Sequence, residues 1–123
     1  MSSLLDSDLL IDHLRGVPEA RALLEELGQP GARASILTRA ELRSGTRGVT
    51  SEVETVISKI SWEPVTEEIA DRAGAFARTH GPTHPGVGLV DYIVAATADV
   101  LGLDLLTRNV RHFPMFPDLR PPY

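Results

Sequence analysis

The stretch "LVDYIVAATADVLGLDLLTRNVRHFP", residues 89–114, indicates the fold class of this chain. Its first fourteen residues are mostly apolar, rich in alanine and closed by Gly102, which predicts a buried helix. The next five residues, "LDLLT", predict a short buried strand. A helix that leads directly into a strand is typical of α/β proteins with a parallel sheet.

The same alternation recurs upstream. Short strands are predicted at 2–6, 32–37 and 61–65, and the segments between them predict helices at 7–16, 18–28, 38–45, 51–60 and 66–81. Ser7 is the expected cap of the first helix, while Thr38 with Glu41, and Ser51 with Glu54, fit capping boxes. This order predicts a parallel sheet covered by helices on both faces. With no repeat or linker visible, we expect one domain over residues 1–123.

Composition limits the possible functions. The chain has 123 residues, a net charge of −5 and no cysteine, which excludes disulfides and thiolate metal sites. The charge argues against a protein that holds nucleic acid by bulk attraction, but an acidic metal site in a nuclease is compatible with it. No apolar run is long enough to span a membrane, and acidic residues occur close to the N-terminus. We therefore expect no signal peptide, no membrane association and a cytoplasmic location.

Polar side chains follow the predicted strands. Asp6 ends the first strand, Glu41 comes a few residues after the second, and Asn109 follows the fourth by two residues. Asp91 lies in the first turn of the helix that leads into the fourth strand. Because sites in open parallel sheets form beyond the carboxyl ends of the strands, we expect these groups to converge there.

Such an oxygen-rich set suits Mg²⁺ or Mn²⁺. Asp91 lies among apolar helix residues, where a carboxylate is costly unless it is paired or bound to a cation. Ala95 and Ala98 follow on the same helix face and leave room in front of Asp91. A hard divalent cation polarises a phosphoryl oxygen and activates a bound water, which is the chemistry of phosphodiester hydrolysis.

Several charged residues also have structural explanations. Asp6 fits a helix cap, Glu41 fits the third position of a capping box, and Asp8 fits the first turn of a helix, so we interpret Asp8 as mainly structural. Asp12 is expected on the solvent face.

Basic and aromatic residues have their own interpretations. His80 and His84 flank "GPT", a spacing compatible with zinc but with no evident third ligand. Arg108 and Arg111 flank Asn109, where they are placed for phosphate groups. Arginines also recur every four residues on the helix that carries Glu41, almost opposite to it, and predict a solvated stripe or a contact away from the metal: Arg39, Arg43 and Arg47. The large aromatic residues are expected in the core: Trp62, Phe76 and Phe113.

Three segments together resemble the PIN-domain ribonucleases, and within them the VapC-type toxins of type II toxin–antitoxin pairs. They are "LLDSDLLIDHLRG" (4–16), "SILTRAELRSG" (35–45) and the stretch at 89–114. The resemblance implies a three-layer α/β/α fold with four to five short parallel strands. It also implies a metal site of Asp6, Glu41 and Asp91, with Asn109 at the family's fourth acidic position.

The resemblance further implies Mg²⁺- or Mn²⁺-dependent cleavage of RNA, a homodimer, and inhibition by a small cognate VapB-type antitoxin. Two alternatives stay open. The first is a catalytically weak PIN-like module that binds RNA or protein, since Asn109 carries no charge. The other is a small phosphatase, since "DSD" at 6–8 resembles the start of an aspartyl-nucleophile motif, but the expected downstream lysine is not evident.

Overall fold

The computed structural model describes residues 2–123, apart from the side chains of residues 29 and 30. Within this range, four parallel strands form one sheet in the order β3-β2-β1-β4. The strands are β1 (Ser3–Leu5), β2 (Ala32–Ser35), β3 (Ser61–Glu63) and β4 (Asp104–Leu106). The helices are α1 (Ser7–Leu14), α2 (Pro18–Gly31), α3 (Ile36–Ser44), α4 (Ser51–Ser58), α5 (Glu67–His80) and α6 (Leu89–Leu101). Short 3₁₀ turns cover Gly81–Thr83 and Val110–His112.

The two leucines of β1 place this strand at the centre of a three-layer structure. Both are fully buried, and because neighbouring strand residues point to opposite faces, they enter different cores. Leu5 packs with apolar residues of α1 and α4, whereas Leu4 packs with Val94 and Ala95 of α6 and with Phe113. The predicted α/β/α architecture with a parallel sheet of four to five strands is therefore confirmed, with four strands.

Helices α5 and α6 pack against each other through small and medium apolar side chains. Ile69 and Ala73 of α5 contact Tyr92 and Ala96 of α6, and all four are buried. The alanines of α6 allow this close approach while the helix also covers the sheet. Gly102 ends α6 with a φ of 65°, a left-handed conformation that glycine adopts without strain.

Parallel pairing brings the carboxyl ends of β1 and β4 to the same edge of the sheet. Leu4 is paired with Leu105 and Leu5 with Leu106. The amide of Asp6 then donates to the carbonyl of Leu106 at 3.0 Å, so the pairing extends one residue beyond β1. This register brings Asp6 next to Thr107.

Three predicted helix caps are wrong by one to three residues, although α1 and α4 begin at Ser7 and Ser51 as predicted. The cap of α1 is Asp6 rather than Ser7, and the cap of α4 is Thr50 rather than Ser51. Helix α3 begins at Ile36, capped by the hydroxyl of Ser35, which accepts from the amide of Leu37 at 3.2 Å. Thr38 therefore lies inside α3. Each of these regions offers more than one side chain able to cap a helix, and local propensity does not select among them.

Other element boundaries also differ from the prediction. Helix α2 continues to Gly31, although Gly28 has a φ of 59°. Strand β2 ends at Ser35, two residues early, because α3 follows it without a loop. No helix within residues 2–123 has the length and apolar character required to cross a membrane.

Candidate metal-binding and catalytic site

Asp6 lies at the junction of β1 and α1 and is almost fully buried, with 7% of its surface exposed. Its Oδ1 accepts a hydrogen bond from the amide of Ser7 at 2.8 Å, which is its capping role. Its Oδ2 accepts from the hydroxyl of Thr107 at 2.9 Å. Asp6 therefore caps α1 with one oxygen and contacts the end of β4 with the other.

Asp8 lies beside Asp6, closer to the site than its interpretation as a mainly structural residue suggested. Its Oδ2 accepts from the backbone amide of Arg108 at 2.8 Å and from Thr107 Oγ1 at 3.4 Å. Its Oδ1 is buried and has no hydrogen-bond partner among the described residues. A buried carboxylate oxygen without a donor is costly and is suited to bind a cation.

Glu41 reaches toward the same region from α3. Its Oε2 accepts from the hydroxyl of Ser7 at 3.3 Å, which connects α3 to the start of α1. The predicted capping box with Thr38 does not form, because Thr38 lies one turn inside the helix. The exposed carboxylate of Glu41 is consequently directed toward α1.

Asp91 lies in the first turn of α6 and is partly buried. Its Oδ2 accepts from the amide of Gly88 at 3.4 Å. Nδ1 of His112 lies 3.0 Å from the same oxygen and acts as the donor. The 3₁₀ turn after β4 therefore orients the carboxylate of Asp91.

Asn109 is exposed, and its backbone amide donates to Thr107 Oγ1 at 3.0 Å. Thr107 is fully buried, and its hydroxyl thus contacts Asp6, Asp8 and Asn109 at once. Thr107 was not predicted as a site residue. Its position directly after β4, which is equivalent to that of Asp6 directly after β1, could have identified it. The local sequence gave no indication that Ser7 or His112 contacts the site.

Electrostatic interactions connect the carboxylates. Burial raises the pKa of Asp6 to about 6, and the neighbouring charges of Asp8 and Asp91 add to this effect. The hydrogen bonds from Thr107 and Ser7 oppose it. Burial also raises the pKa of Glu41, with further contributions from Asp91 and Asp8. Asp6, Asp8, Glu41 and Asp91 therefore form one cluster, which we call the carboxylate cluster.

The carboxylate cluster fits a hard divalent cation by its chemistry. Its donors are all oxygens, its members repel one another, and Asp8 Oδ1 lacks a donor. Within residues 2–123, however, no three His, Asp or Glu side chains are already grouped closely enough to share one ion. Side-chain rotation is thus needed before these residues form a common coordination shell.

Arg108, one of the two arginines predicted to serve phosphates, is engaged elsewhere. Its guanidinium lies 3.7 Å from Asp12 and over the ring of Tyr123, 4.9 Å from the ring centre. Tyr123 also donates its hydroxyl to Asp12 at 2.7 Å. The prediction that Asp12 is a solvent-face charge is therefore wrong, because the C-terminal residue packs against it.

The arginine stripe of α3 has partners within the chain. Arg39 lies over the ring of Trp62, 5.5 Å from its centre, and the other two arginines form ion pairs, Arg43 with Glu54 and Arg47 with Glu52. Arg39 and Arg43 are partly buried, whereas Arg47 lies beyond the end of α3 and is exposed, so the predicted solvated stripe is confirmed at Arg47 alone of the three.

The two loop histidines interact locally. Nδ1 of His84 lies 3.1 Å from the carbonyl of His80 and 3.0 Å from the hydroxyl of Thr83. The rings of His80 and His84 are 6.1 Å apart. These contacts order the loop before α6.

Comparisons with known proteins agree with this architecture. The family model described as PIN domain matches residues 3–116. The chain is 50% identical to Ribonuclease VapC19 of Mycobacterium tuberculosis over 98% of both chains. It is 47% identical to Ribonuclease VapC10 of the same organism, over 98% of this chain and 92% of that protein.

Solved structures give the same result. A toxin–antitoxin complex from Klebsiella pneumoniae is similar with a TM-score of 0.81 and 31% identity, covering 99% of this chain and 98% of that one. VapBC-1 from nontypeable Haemophilus influenzae is similar with a TM-score of 0.77 and 25% identity, covering 98% and 96%. The resemblance inferred from the three sequence segments is confirmed, and the chain belongs to the PIN-domain family, within its VapC ribonucleases.

Proposed function

We propose that this protein is a toxin endoribonuclease that hydrolyses RNA phosphodiester bonds with the help of Mg²⁺ or Mn²⁺. The observation that carries the proposal is the burial of Asp6, with its raised pKa, among Asp8, Glu41 and Asp91 at the carboxyl edge of the sheet. The high identity to two proteins named as ribonucleases supports the reaction class.

The proposed ligands of the cation are Asp6, Glu41 and Asp91, with Asn109 and the unpartnered oxygen of Asp8 completing the shell. When bound, the cation supplies an activated water and offsets negative charge at the phosphate. Thr107 donates to the carboxylate of Asp6, and the amide of Arg108 donates to that of Asp8, which keeps both carboxylates at the carboxyl edge of the sheet.

Glu41 is the proposed acceptor of the proton from the attacking water. Its exposed side chain is held only at Oε2, by Ser7, among the hydrogen bonds of the described residues. Partial burial and the neighbouring carboxylates raise its pKa, which favours the acceptance of a proton. His112 keeps Asp91 oriented while the proton moves to Glu41.

The proposed partners are a VapB-type antitoxin and a second copy of this chain. Similar solved structures are toxin–antitoxin complexes, which supports the first. Leu89 and Val90, at the start of α6 next to Asp91, are 62% and 44% exposed. Exposed apolar residues at the rim of a charged site favour a protein partner there.

The test is RNA cleavage by purified protein with Mg²⁺ or Mn²⁺, with and without EDTA, followed by sequencing of the product ends. Asp6→Asn and Asp91→Asn are expected to lose activity by about 100-fold or more, since each removes a charge from the cation's shell. Asp71→Asn, an exposed carboxylate on α5, is the matched control and is expected to keep full activity. Equal cleavage by all four proteins contradicts the proposal.

Two observations favour a second candidate function, a PIN-like module that binds RNA without cutting it. Asn109 has no charge, and the carboxylates are not grouped around one point. RNA binding without cleavage in both Mg²⁺ and Mn²⁺ would establish this alternative.

A further inference from the structure

A groove of about 460 Å³ runs along the segment that follows β4. Its charged or titratable lining residues are Arg111, Arg120 and His84. The remaining lining residues are apolar, with Phe113, Phe116 and Pro117 among them, and no carboxylate takes part. We call it the C-terminal groove. In a chain with a net charge of −5, a groove lined only by basic and apolar residues is a local reversal of the overall charge.

The C-terminal groove adjoins the carboxylate cluster on two sides. Arg111 directly precedes His112, whose Nδ1 lies 3.0 Å from Oδ2 of Asp91. His84 begins the turn before α6, because its carbonyl accepts from the amide of Val87 at 3.1 Å. The next residue, Gly88, donates its amide to Asp91. Two lining residues of the groove, Arg111 and His84, therefore belong to segments that contact Asp91.

The two arginines of the groove are available for an external anion. Five other arginines pair with carboxylates of the same chain: Arg33–Glu63, Arg43–Glu54, Arg47–Glu52, Arg72–Asp99 and Arg108–Asp12. Among the described residues, Arg111 and Arg120 have no carboxylate within the 4.0 Å of an ion pair, and both are exposed. The guanidinium of Arg120 donates only to the neighbouring carbonyl of Leu119, at 3.2 Å.

The aromatic rings of the groove are engaged by the protein. Phe113 is 1% exposed, and the ring of Phe116 packs edge-on against Phe76, with centres 6.4 Å apart. Stacking of bases on these rings is therefore disfavoured, and the groove offers mainly charge to its ligand. Guanidinium groups bind phosphate oxygens in a bidentate manner, without reading base identity.

We propose that the C-terminal groove binds the backbone of single-stranded RNA next to the scissile phosphate, with Arg111 and Arg120 contacting successive phosphates. This inference rests on the proposed ribonuclease function and adds the path of the substrate. RNA is favoured over an acidic protein segment because the proposed cleavage takes place at the carboxylate cluster, so an RNA strand bound there extends onto the adjoining segments that carry His84 and Arg111.

The test compares Arg111→Ala/Arg120→Ala with Arg15→Ala/Arg21→Ala, which removes the same charge from α1 and α2. Cleavage of a single-stranded RNA is measured for kcat and KM, and RNA affinity is measured in an Asp6→Asn background over a range of salt concentrations. We expect the groove variant to raise KM by about 10-fold with little change in kcat. We expect the salt slope of its RNA affinity to fall by about 1.4, the value for two single-strand phosphate contacts.

The other outcomes distinguish failure of the groove inference from failure of the proposed function. If the wild-type protein cleaves RNA and the groove variant keeps its KM and salt slope, the groove inference is overturned and the function stands. If the wild-type protein cleaves nothing, the function fails, and unchanged RNA affinity in the groove variant overturns the inference as well. A fall in kcat together with weaker Mn²⁺ affinity indicates disturbance of Asp91 and overturns it. Loss of affinity for an acidic peptide but not for RNA assigns the groove to a protein partner.

Discussion

The hydroxyl of Thr107 lies 2.9 Å from Oδ2 of Asp6 and joins the ends of β4 and β1 across 101 residues of sequence. The same oxygen of Thr107 accepts the amide of Asn109 at 3.0 Å and lies 3.4 Å from Asp8. One neutral side chain therefore donates to Asp6, accepts from the turn that carries Asn109 and lies beside Asp8. Its removal tests how much the site depends on this orientation.

Thr107→Val is expected to weaken Mn²⁺ binding by about 10- to 100-fold. Asp6 loses the side-chain donor that it has among the described residues, while the volume at the buried position is kept. Thr107→Ser keeps the hydroxyl and is expected to bind Mn²⁺ within a few-fold of the wild type. Calorimetric titration with Mn²⁺ measures the difference. Equal affinity in the valine and serine variants would show that the hydroxyl does not orient the site.

The stability of the cation-free protein is expected to decrease as the pH rises from 4 to 7. The pKa of Asp6 is about 6 in the folded chain against an ordinary value of 3.8, so the folded state binds the proton more tightly in this interval. The stabilisation by this proton is complete below pH 3.8 and is lost as the pH passes 6. The shift corresponds to about 3 kcal/mol in the free energy of unfolding.

Urea denaturation in EDTA, at several pH values, measures this effect when wild type is compared with Asp6→Asn. The asparagine variant lacks the titrating group. The difference between its free energy of unfolding and that of the wild type should therefore shift in favour of the variant as the pH increases. A constant difference between the two proteins from pH 4 to pH 7 would rule out a raised pKa at Asp6.

Divalent cations are expected to stabilise the wild-type fold, since binding relieves repulsion among Asp6, Asp8 and Asp91. At a concentration about 100 times the dissociation constant, the gain is about 2.7 kcal/mol. Thermal unfolding with Mg²⁺, Mn²⁺ or EDTA measures it. Asp6→Asn and Asp91→Asn should lose most of this gain, and Asp71→Asn should retain it. A gain of the same size in all four proteins would place the cation elsewhere.

Gly48→Ala is expected to lower the free energy of unfolding by about 2 kcal/mol. A Cβ at Gly48 would lie 2.1 Å from the backbone carbonyl oxygen of Arg43, which cannot move without distorting α3. Gly86→Ala is the control, because nothing lies within 4 Å of a Cβ at that exposed loop position. Equal stability of the two variants in chemical denaturation would show that the loop before α4 relaxes freely.

Much of the fold followed from local signals. Periodic apolar residues predicted the helices, and β1 and β4 were predicted within two residues of their ends. Helix starts were less predictable, because Ser35 and Thr38 offer similar caps and only the path of β2 selects Ser35. Local energies of alternative caps differ by too little to decide such positions in the sequence.

The candidate site was predictable where a carboxylate lies at a position that the order of strands and helices places at the edge of the sheet. Asp6 and Asp91 stood out because carboxylates at a strand end and at the start of a buried helix are unusual. Their role as cation ligands, with Glu41 and Asn109, remains a prediction. Arg108 and Asp12 were misjudged, because their partner Tyr123 is distant in sequence and gives no periodic signal.

The sequence by itself determined the α/β class, the order of its strands and helices, the PIN-domain resemblance and the positions of the acidic residues, because these depend on side-chain patterns within one segment. Only the tertiary structure decided that Thr107 holds Asp6, that Asp8 belongs to the carboxylate cluster, and that Arg111 and Arg120 share a groove while Arg108 turns away. These contacts depend on the register of parallel strands and on the path of the C-terminal segment. Hydrogen bonds and charge repulsion depend on distances in space. For residues far apart in the chain, these distances cannot be read from the local sequence.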